Sequence, residues 1–369
     1  MTTDILSMNI EELQYLMKDL GQPGYRAGQI FEWLHQRFPN ACDGGFSFDG
    51  MSNLPKSLRE ELVKRCFITS ANVAKKLQAK DGTVKFLLKL VGNPDVLVES
   101  VLMEYAYGHS LCLSTQAGCR MGCLFCATGQ GGFIRNLSAG EMCMQVYAAS
   151  MGRVRNVVLM GCGEPLDNFD STLRFIELIS HPKGAGLGQR HITLSTCGLV
   201  PEILELAQRR LQITLAVSLH GPDDATRQAL MPVARKYSVK ELISACHQYA
   251  NATHRRISFE YALTAGINDS PAQARALAGL LKGLLCHVNL IPVNQVTDAF
   301  SPTKKRETMA FAHILQKSNI PVTVRRTIGA EVNAACGQLK ALQPRINVGF
   351  DTLGEAGKAN RKADENASL

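Results

Sequence analysis

The sequence predicts an α/β protein: an open, partial (β/α)6 barrel preceded by a small helical accessory domain and a β-hairpin linker. Three observations carry that expectation. From residue 110 onward, short apolar runs alternate with capped helical stretches, the pattern of parallel strands joined by crossover helices. Glycine-rich and polar motifs fall where those strands end, the edge on which βα folds collect functional groups. A C-x3-C-x2-C run of Cys119, Cys123 and Cys126 follows the first strand directly.

In chain order, Asn9 is placed to cap a helix over residues 10–19, closed by Gly21. Gln22-Pro-Gly24 turns into a second helix over about 25–37, with Ile30, Phe31 and Leu34 on one face; a third covers 57–66. Together these form the accessory domain, residues 1–80. Its cations Arg26, Lys56, Arg59, Lys64 and Arg65 read equally as a grip for nucleic acid or as a solvated face. Apolar runs at 83–90 and 96–102 flank Gly92-Asn-Pro-Asp95, a hairpin signal that marks 81–105 as a linker. The barrel occupies 106–345. Its strands are expected at 110–114, 156–160, 191–195, 213–219, 256–263 and 287–291, with a seventh at 322–326. Helices start at the capping box Ser138-Ala-Gly-Glu141 and at Pro201, and others fit 171–179, 239–250, 271–282 and 306–316. Six βα units fall short of the eight that close a barrel, so an open one is expected. Residues 354–369 lack apolar periodicity and read as a disordered tail.

Composition narrows the class. Apolar residues make up 46% of the 369, enough for a substantial core. The formal net charge of +8 is compatible with a polyanionic partner without requiring one. Twelve cysteines in so long a chain read as thiols, metal ligands or catalytic groups, not as a secreted disulfide scaffold. The opening Met-Thr-Thr-Asp-Ile-Leu-Ser has neither the charged nor the apolar region of a secretory signal. No run approaches the roughly 18 apolar residues of a membrane span. A cytoplasmic chain with no membrane partner is expected.

The cysteine run offers three thiolates where an iron–sulfur cube normally takes four. One iron would stay open to bind a small molecule. Zinc also accepts thiolates, but its structural sites usually add a second hook, and none follows here. The spacing therefore favours a [4Fe–4S] cluster, with zinc as the alternative.

That spacing is the one used by radical S-adenosylmethionine (SAM) enzymes, and the wider wording is more specific. Gly118-Cys-Arg-Met-Gly-Cys-Leu-Phe-Cys-Ala127, Gly161-Cys-Gly-Glu-Pro165 and Gln189-Arg-His-Ile-Thr-Leu-Ser-Thr-Cys-Gly198 are followed in order by Val217-Ser-Leu-His220, His287-Val-Asn-Leu-Ile-Pro292 and Ala334-Ala-Cys-Gly-Gln-Leu339. The set resembles the RlmN/Cfr family of RNA methyltransferases from about residue 25 to 339. The resemblance implies a radical-SAM partial barrel holding a [4Fe–4S] cluster on Cys119, Cys123 and Cys126. It implies two SAM molecules consumed per turnover, with Gly163 and Glu164 at the methionine end. Ser195, Ser218, Leu219, His220 and Asn294 would contact the rest, and Phe125 would lie near the adenine. Cys336 would carry a methyl group, Cys112 would resolve a covalent protein–RNA adduct, and Glu99 would accept the ring proton.

From the residues alone, Cys112 reads as a small buried apolar group, and Cys336 reads equally as that or, between the small Ala334, Ala335 and Gly337, as a thiol that a substrate or backbone could approach. Glu99 reads as a solvated strand residue, or, at a strand end beside an apolar cleft, as a carboxyl with a raised pKa. Two thiols make chemical sense, because adenine carbon 2 is electron-poor, has no lone pair and cannot attack a sulfonium methyl; covalent catalysis divides the step. The implied substrates are an adenosine of 23S rRNA and one of tRNA. The implied electron donor is a flavodoxin or ferredoxin with its reductase. Candidate RNA contacts are Arg135, Arg153, Arg155, Arg255, Arg256, Lys304, Lys305, Arg325 and Arg326. Pro165 and Pro292 read as the RlmN branch, against a Cfr-type enzyme acting on carbon 8. A non-catalytic RNA-binding protein built around a metal site is the reading from another class. Two positions depart from the family pattern: Cys162 stands where methionine is expected, and Glu331-Val-Asn333 replaces a usual Asp-Ile-x.

Overall fold

The computed structural model describes residues 2–36, 47–92, 94–150, 154–293, 300–325, 329–332, 334 and 337–339. The N-terminal unit is closed by β1 (Thr3–Asp4) pairing in parallel with β2 (Cys66–Phe67). Between them lie α1 (Ile10–Asp19), α2 (Tyr25–Gln36) and α3 (Lys56–Arg65). Asn9 caps α1 reciprocally: its Oδ1 accepts from Glu12 N and Glu12 Oε2 accepts from Asn9 N, both at 2.9 Å. Leu13 and Met17 of α1 bury against Ile30, Phe31 and Leu34 of α2.

The strands that follow form one sheet. These are β3 (Ala71–Gln78), β4 (Val84–Leu90), β5 (Val96–Tyr105) and β6 (Gly108–Cys112). A small separate hairpin, β7 (Gln116–Gly118) and β8 (Phe133–Asn136), encloses α4 (Ala127–Gln130). Then α5 (Ala139–Ser150), β9 (Val154–Leu159), α6 (Phe169–Ser180), β10 (Ile192–Thr196), α7 (Val200–Arg209) and β11 (Thr214–Ser218) alternate. After α8 (Asp224–Gln228) and α9 (Val239–Thr253) come β12 (Ile257–Leu263), α10 (Pro271–Leu280), β13 (Cys286–Pro292), α11 (Lys305–Lys317) and β14 (Val322–Val324). Strand order is β14-β13-β12-β11-β10-β9-β6-β5-β4-β3. The seven strands from β6 to β14 are parallel, and the other three extend the sheet antiparallel. β14 and β3 lie at opposite ends of that order, so the barrel is open.

The predicted βα alternation is present, with its strands and helices within a few residues of expectation. The hairpin at 81–105 is no separate linker. It supplies β4 and β5, and with β3 continues the barrel sheet. The N-terminal unit docks on the outer helices: Arg174 of α6 pairs with Glu12 at 2.7 Å, and Ser7 Oγ accepts from Gly140 N at 2.8 Å. Its cations are engaged within the unit. Arg65 pairs with Asp19, Lys64 with Glu61, Lys56 with Glu60 and Arg59 with Asp49, while Arg26 donates to Gln29 and Asn53. Among the described residues no helix is long and apolar enough to cross a membrane.

At the docking seam, buried His35 shares a hydrogen bond with Tyr147 Oη, 2.7 Å from Nδ1. Burial, with His181 nearby, lowers its pKa to about 3. The folded chain keeps this ring neutral while the unfolded chain protonates it below about pH 6.5, so stability falls as pH drops through that range. Between pH 7 and 5 the loss is about 2 kcal/mol for this group. Urea unfolding of His35→Gln at the two pH values is expected to show a pH-dependent loss smaller by about that amount; equal losses would contradict the assignment.

Candidate active site

The chain leaves β6 and enters the cysteine loop, which neighbouring backbone holds on several sides. Cys119 N donates to Gly132 O at 2.9 Å, Leu124 N to Leu230 O at 3.0 Å and Cys126 N to Cys123 O at 3.1 Å. Gly118 has φ of +80°, and a Cβ there would sit 2.0 Å from Gly132 O, so only glycine fits the entry to the loop. Arg120 lies over the Phe133 ring at 4.0 Å and pairs with Asp167 at 2.8 Å.

Cys119, Cys123 and Cys126 line one cavity of about 180 Å³. Burial pushes the Cys119 thiol up to about 12 and Cys123 higher still, with the adjoining thiols adding to both. Three soft donors facing one space, with Cys119 and Cys123 costly to ionise unless a cation joins them, suit an iron–sulfur cluster. Among the described residues no three His, Cys, Asp or Glu side chains stand close enough to share a single ion.

The rest of the cavity wall comes from strand ends. Gly163, Glu164, Ser195, Ser218 and His220 all line it, as does Phe125, whose ring meets His220 edge-on at 4.8 Å. Gly163, at φ +108°, lies so close to the start of β7 that a Cβ would meet Gln116 Cβ at 2.6 Å. Leu219 is fully buried outside the lining, its N–H donating to Glu260 O at 3.0 Å. Asn294 lies outside the described residues; its neighbour Val293 lines the cavity.

Two side chains differ from a simple ligand-contact role. Glu164 is buried, and both its oxygens accept from backbone: Oε1 from Leu166 N at 3.0 Å and Oε2 from Cys197 N at 2.7 Å. It therefore ties the β9 loop to the β10 loop. Burial raises its pKa, and those amides oppose the rise. His220 is buried with φ of +56°, and Nδ1 accepts from Ala262 N at 2.9 Å. That hydrogen bond fixes a tautomer with its proton on Nε2. Burial, with Arg227 nearby, lowers its pKa to about 3, so the ring is neutral near pH 7 and its Nε2–H is left to donate.

Sequence reasoning missed Glu260 and Met231, which also line the cavity, and read Arg325, another lining residue, only as an RNA contact. Glu260 Oε1 accepts from Asn289 Nδ2 at 2.9 Å and Ser258 Oγ at 3.0 Å. A lone carboxylate inside the apolar β12 was the available signal. Arg227 was missed too: it is fully buried behind the loop, with Nη2 donating to Cys197 O at 2.5 Å.

The C-terminal segment closes over the cysteine loop. Ala127 N donates to Gly337 O at 2.7 Å and Thr128 Oγ1 to Leu339 O at 2.6 Å. Asp81 Oδ2 accepts from Gly329 N at 2.8 Å, and Lys80 pairs with Glu331 at 3.7 Å. Cys336 itself lies outside the described residues. Cys112, buried at the end of β6 and paired with Val101 and Val158, packs with Val101, Met103, Cys162 and Leu339, against Ala334. Glu99 is neither solvated nor at a strand end. It sits within β5, buried, with Oε1 2.9 Å from Lys85 Nζ. Cys162 is buried, its sulfur 3.5 Å from Thr128 Oγ1.

Residues 113–277 match the model of the radical SAM superfamily, and 3–68 that of the ribosomal RNA large subunit methyltransferase N-terminal domain. A probable dual-specificity RNA methyltransferase RlmN of Desulforamulus reducens is 49% identical over 91% of this chain and 95% of its own length. The counterpart of Clostridium tetani is 46% identical over 91% and 95%. The chain belongs to the RlmN family of radical SAM RNA methyltransferases. The crystal structure of a radical SAM methyltransferase from Sphaerobacter thermophilus, 42% identical, superposes with a TM-score of 0.85 over 91% of this chain and 99% of that one. Membership of the RlmN family implies a [4Fe–4S] cluster and SAM, and the thiol-lined cavity fits both.

Glu164→Ala strands two buried amides at the junction of two loops and is expected to cost about 2–4 kcal/mol in chemical denaturation. Glu164→Gln, which keeps one acceptor, should cost less. A loss below about 0.5 kcal/mol for the alanine variant would show that the tie is dispensable.

Proposed function

We propose that this chain methylates carbon 2 of adenosine, in 23S rRNA and in tRNA, through a methyl group carried on Cys336. The observation that supports it most is the placement of the segment around that cysteine. Gly337 is hydrogen-bonded to the residue after Cys126, while Leu339 belongs to the buried cluster that contains Cys112 and Ala334 packs against that cluster. One short stretch thus adjoins the cluster loop on one side and the second thiol on the other. The relatives' names supply the substrate class and its two-fold character.

Cys119, Cys123 and Cys126 would hold the cluster. When bound, the cluster supplies the electron that splits SAM. Gly163 lets backbone approach the methionine end of SAM, and His220, Ser195 and Ser218 offer donors to the rest of it. Asn294 completes the set. Cys336 presents the methyl-bearing sulfur to the adenine, Glu99 takes the proton that the ring carbon loses, and Cys112 attacks the Cys336 sulfur to free the product. That last step leaves a Cys112–Cys336 disulfide, which an external reductant resets. A flavodoxin or ferredoxin suits the electron supply.

RNA would approach across the open rim. Lys304 and Lys305, exposed at the start of α11, and Arg325 in the cavity wall are candidate contacts. Arg135 is committed elsewhere, bonded to both oxygens of Glu141 and to Pro94 O. The target base must leave its stack to reach the cavity.

Nucleoside mass spectrometry after anaerobic reconstitution and turnover on 23S rRNA and tRNA fragments tests this reading. The expected product is 2-methyladenosine from both substrates. Methylation at carbon 8 would assign the chain to the alternative chemistry. Cys112→Ala is expected to trap a covalent protein–RNA adduct, whereas Cys336→Ala should give neither adduct nor product; an active Cys336→Ala variant would refute the proposal.

A further inference from the structure

Lys85 and Glu99 lie on neighbouring antiparallel strands, in the register that sets Val101 opposite Lys85 and Glu99 opposite Leu87. Residues directly opposite share a face and alternate positions repeat it, so Lys85, Glu99 and Val101 point the same way. Cys112 is the next partner across from Val101, on β6. The face that carries the ion pair therefore also carries Cys112, packed with Leu339 and Ala334 from either side of position 336. The carboxylate is near Cys162 as well: burial pushes that thiol up to about 12, and the Glu99 charge adds to the rise. From the other side, Ser114 Oγ donates to the Glu99 carbonyl at 2.8 Å, fixing the strand against the start of the cysteine loop.

Both side chains of the pair are about nine-tenths buried, with Nζ and Oε1 2.9 Å apart. Burying an ammonium in a strand that is otherwise largely apolar is costly, and a hydrophobic pair of similar volume is often no less stable there. The pair thus calls for a reason other than stability.

We propose that Lys85 is a positioning residue for the reaction: its ammonium, 2.9 Å from Oε1, holds the Glu99 carboxylate in place on the face that carries Cys112, where it can receive the proton released by the base. The inference rests on the reading of Glu99 as that acceptor. In the step concerned the ring C–H bond breaks, its electron pair stays with the ring, and the proton passes to a Glu99 oxygen. Lys85 keeps its protons and forms no bond to substrate.

The test uses full-length, reconstituted enzyme carrying K85M, K85R or E99Q. Three quantities are read: methylation of Cys336 before RNA is added, covalent protein–RNA adduct on a denaturing gel, and turnover. K85M is expected to methylate Cys336 within about twofold of wild type, to accumulate adduct, and to lose roughly ten- to a hundredfold in turnover. K85R should recover most of the turnover and clear the adduct. If the orphaned carboxylate impairs folding of K85M, the charge-neutral K85M/E99Q is expected to turn over no more slowly than E99Q alone, as for two residues acting in one step. The inference is overturned if K85M turns over like wild type, if early methylation and turnover fall together without adduct, or if the double variant multiplies the two losses. E99Q with normal turnover would remove the reading of Glu99 itself, whereas E99Q that traps adduct beside a K85M that does not would remove only the role of Lys85.

Discussion

Residue 337 meets residue 127 through a single backbone hydrogen bond of 2.7 Å, and the chemistry available to this protein follows from what that bond joins. On one side is the turn that presents Cys126 to the cavity. On the other is the stretch containing Cys336. The neighbouring bond from Thr128 to the Leu339 carbonyl repeats the tie two residues on, and Asp81 holds Gly329 from the opposite edge. With those anchors the C-terminal segment runs between the cysteine loop and the Cys112 face. On the proposed reading, the donor of one carbon, the thiol that releases it and the carboxylate that takes a proton would then belong to one neighbourhood.

The charges inside that neighbourhood are matched, and this shapes what each can do. Glu164 spends its carboxylate on two backbone amides, so its part is to hold two strand-end loops in register. His220 is held neutral by burial and nearby Arg227, and its Nδ1 accepts from Ala262 N, so Nε2 is the atom left to donate. Glu99 is paired with a cation from the next strand. Of the three groups, Glu99 lies on the strand face that carries Cys112. That division of labour comes from local partners, not from residue type.

Much of the fold was legible because its signals are local. The Asn9 cap and the Ser138–Glu141 box specify helix starts within four residues, and β12 reads as a buried apolar run. β3 was missed because Ala71–Gln78 is an edge strand with exposed Lys75 and Lys76 and little apolar alternation. The hairpin was found but taken for a linker, since nothing within it reveals that β5 pairs with β6 as well as with β4. The site was legible where motif spacing carries it: the cysteine loop, Gly163, Ser195, Ser218 and His220 meet in one cavity. Non-local pairing was not. The partnership of Lys85 with Glu99 depends on strand register, and the packing of Cys112 with Leu339 joins positions more than two hundred residues apart.

The central claim is that carbon bound for RNA resides first on the protein, at Cys336. Reconstituted enzyme incubated with methyl-trideuterated SAM before any RNA is present, then digested and sequenced by mass spectrometry, tests it directly. The account predicts one labelled methyl group on the peptide containing Cys336, and its carbon recovered in the RNA product when RNA is added with unlabelled SAM. Protein that never carries the label, while labelled carbon still reaches the base from SAM present during turnover, would contradict it.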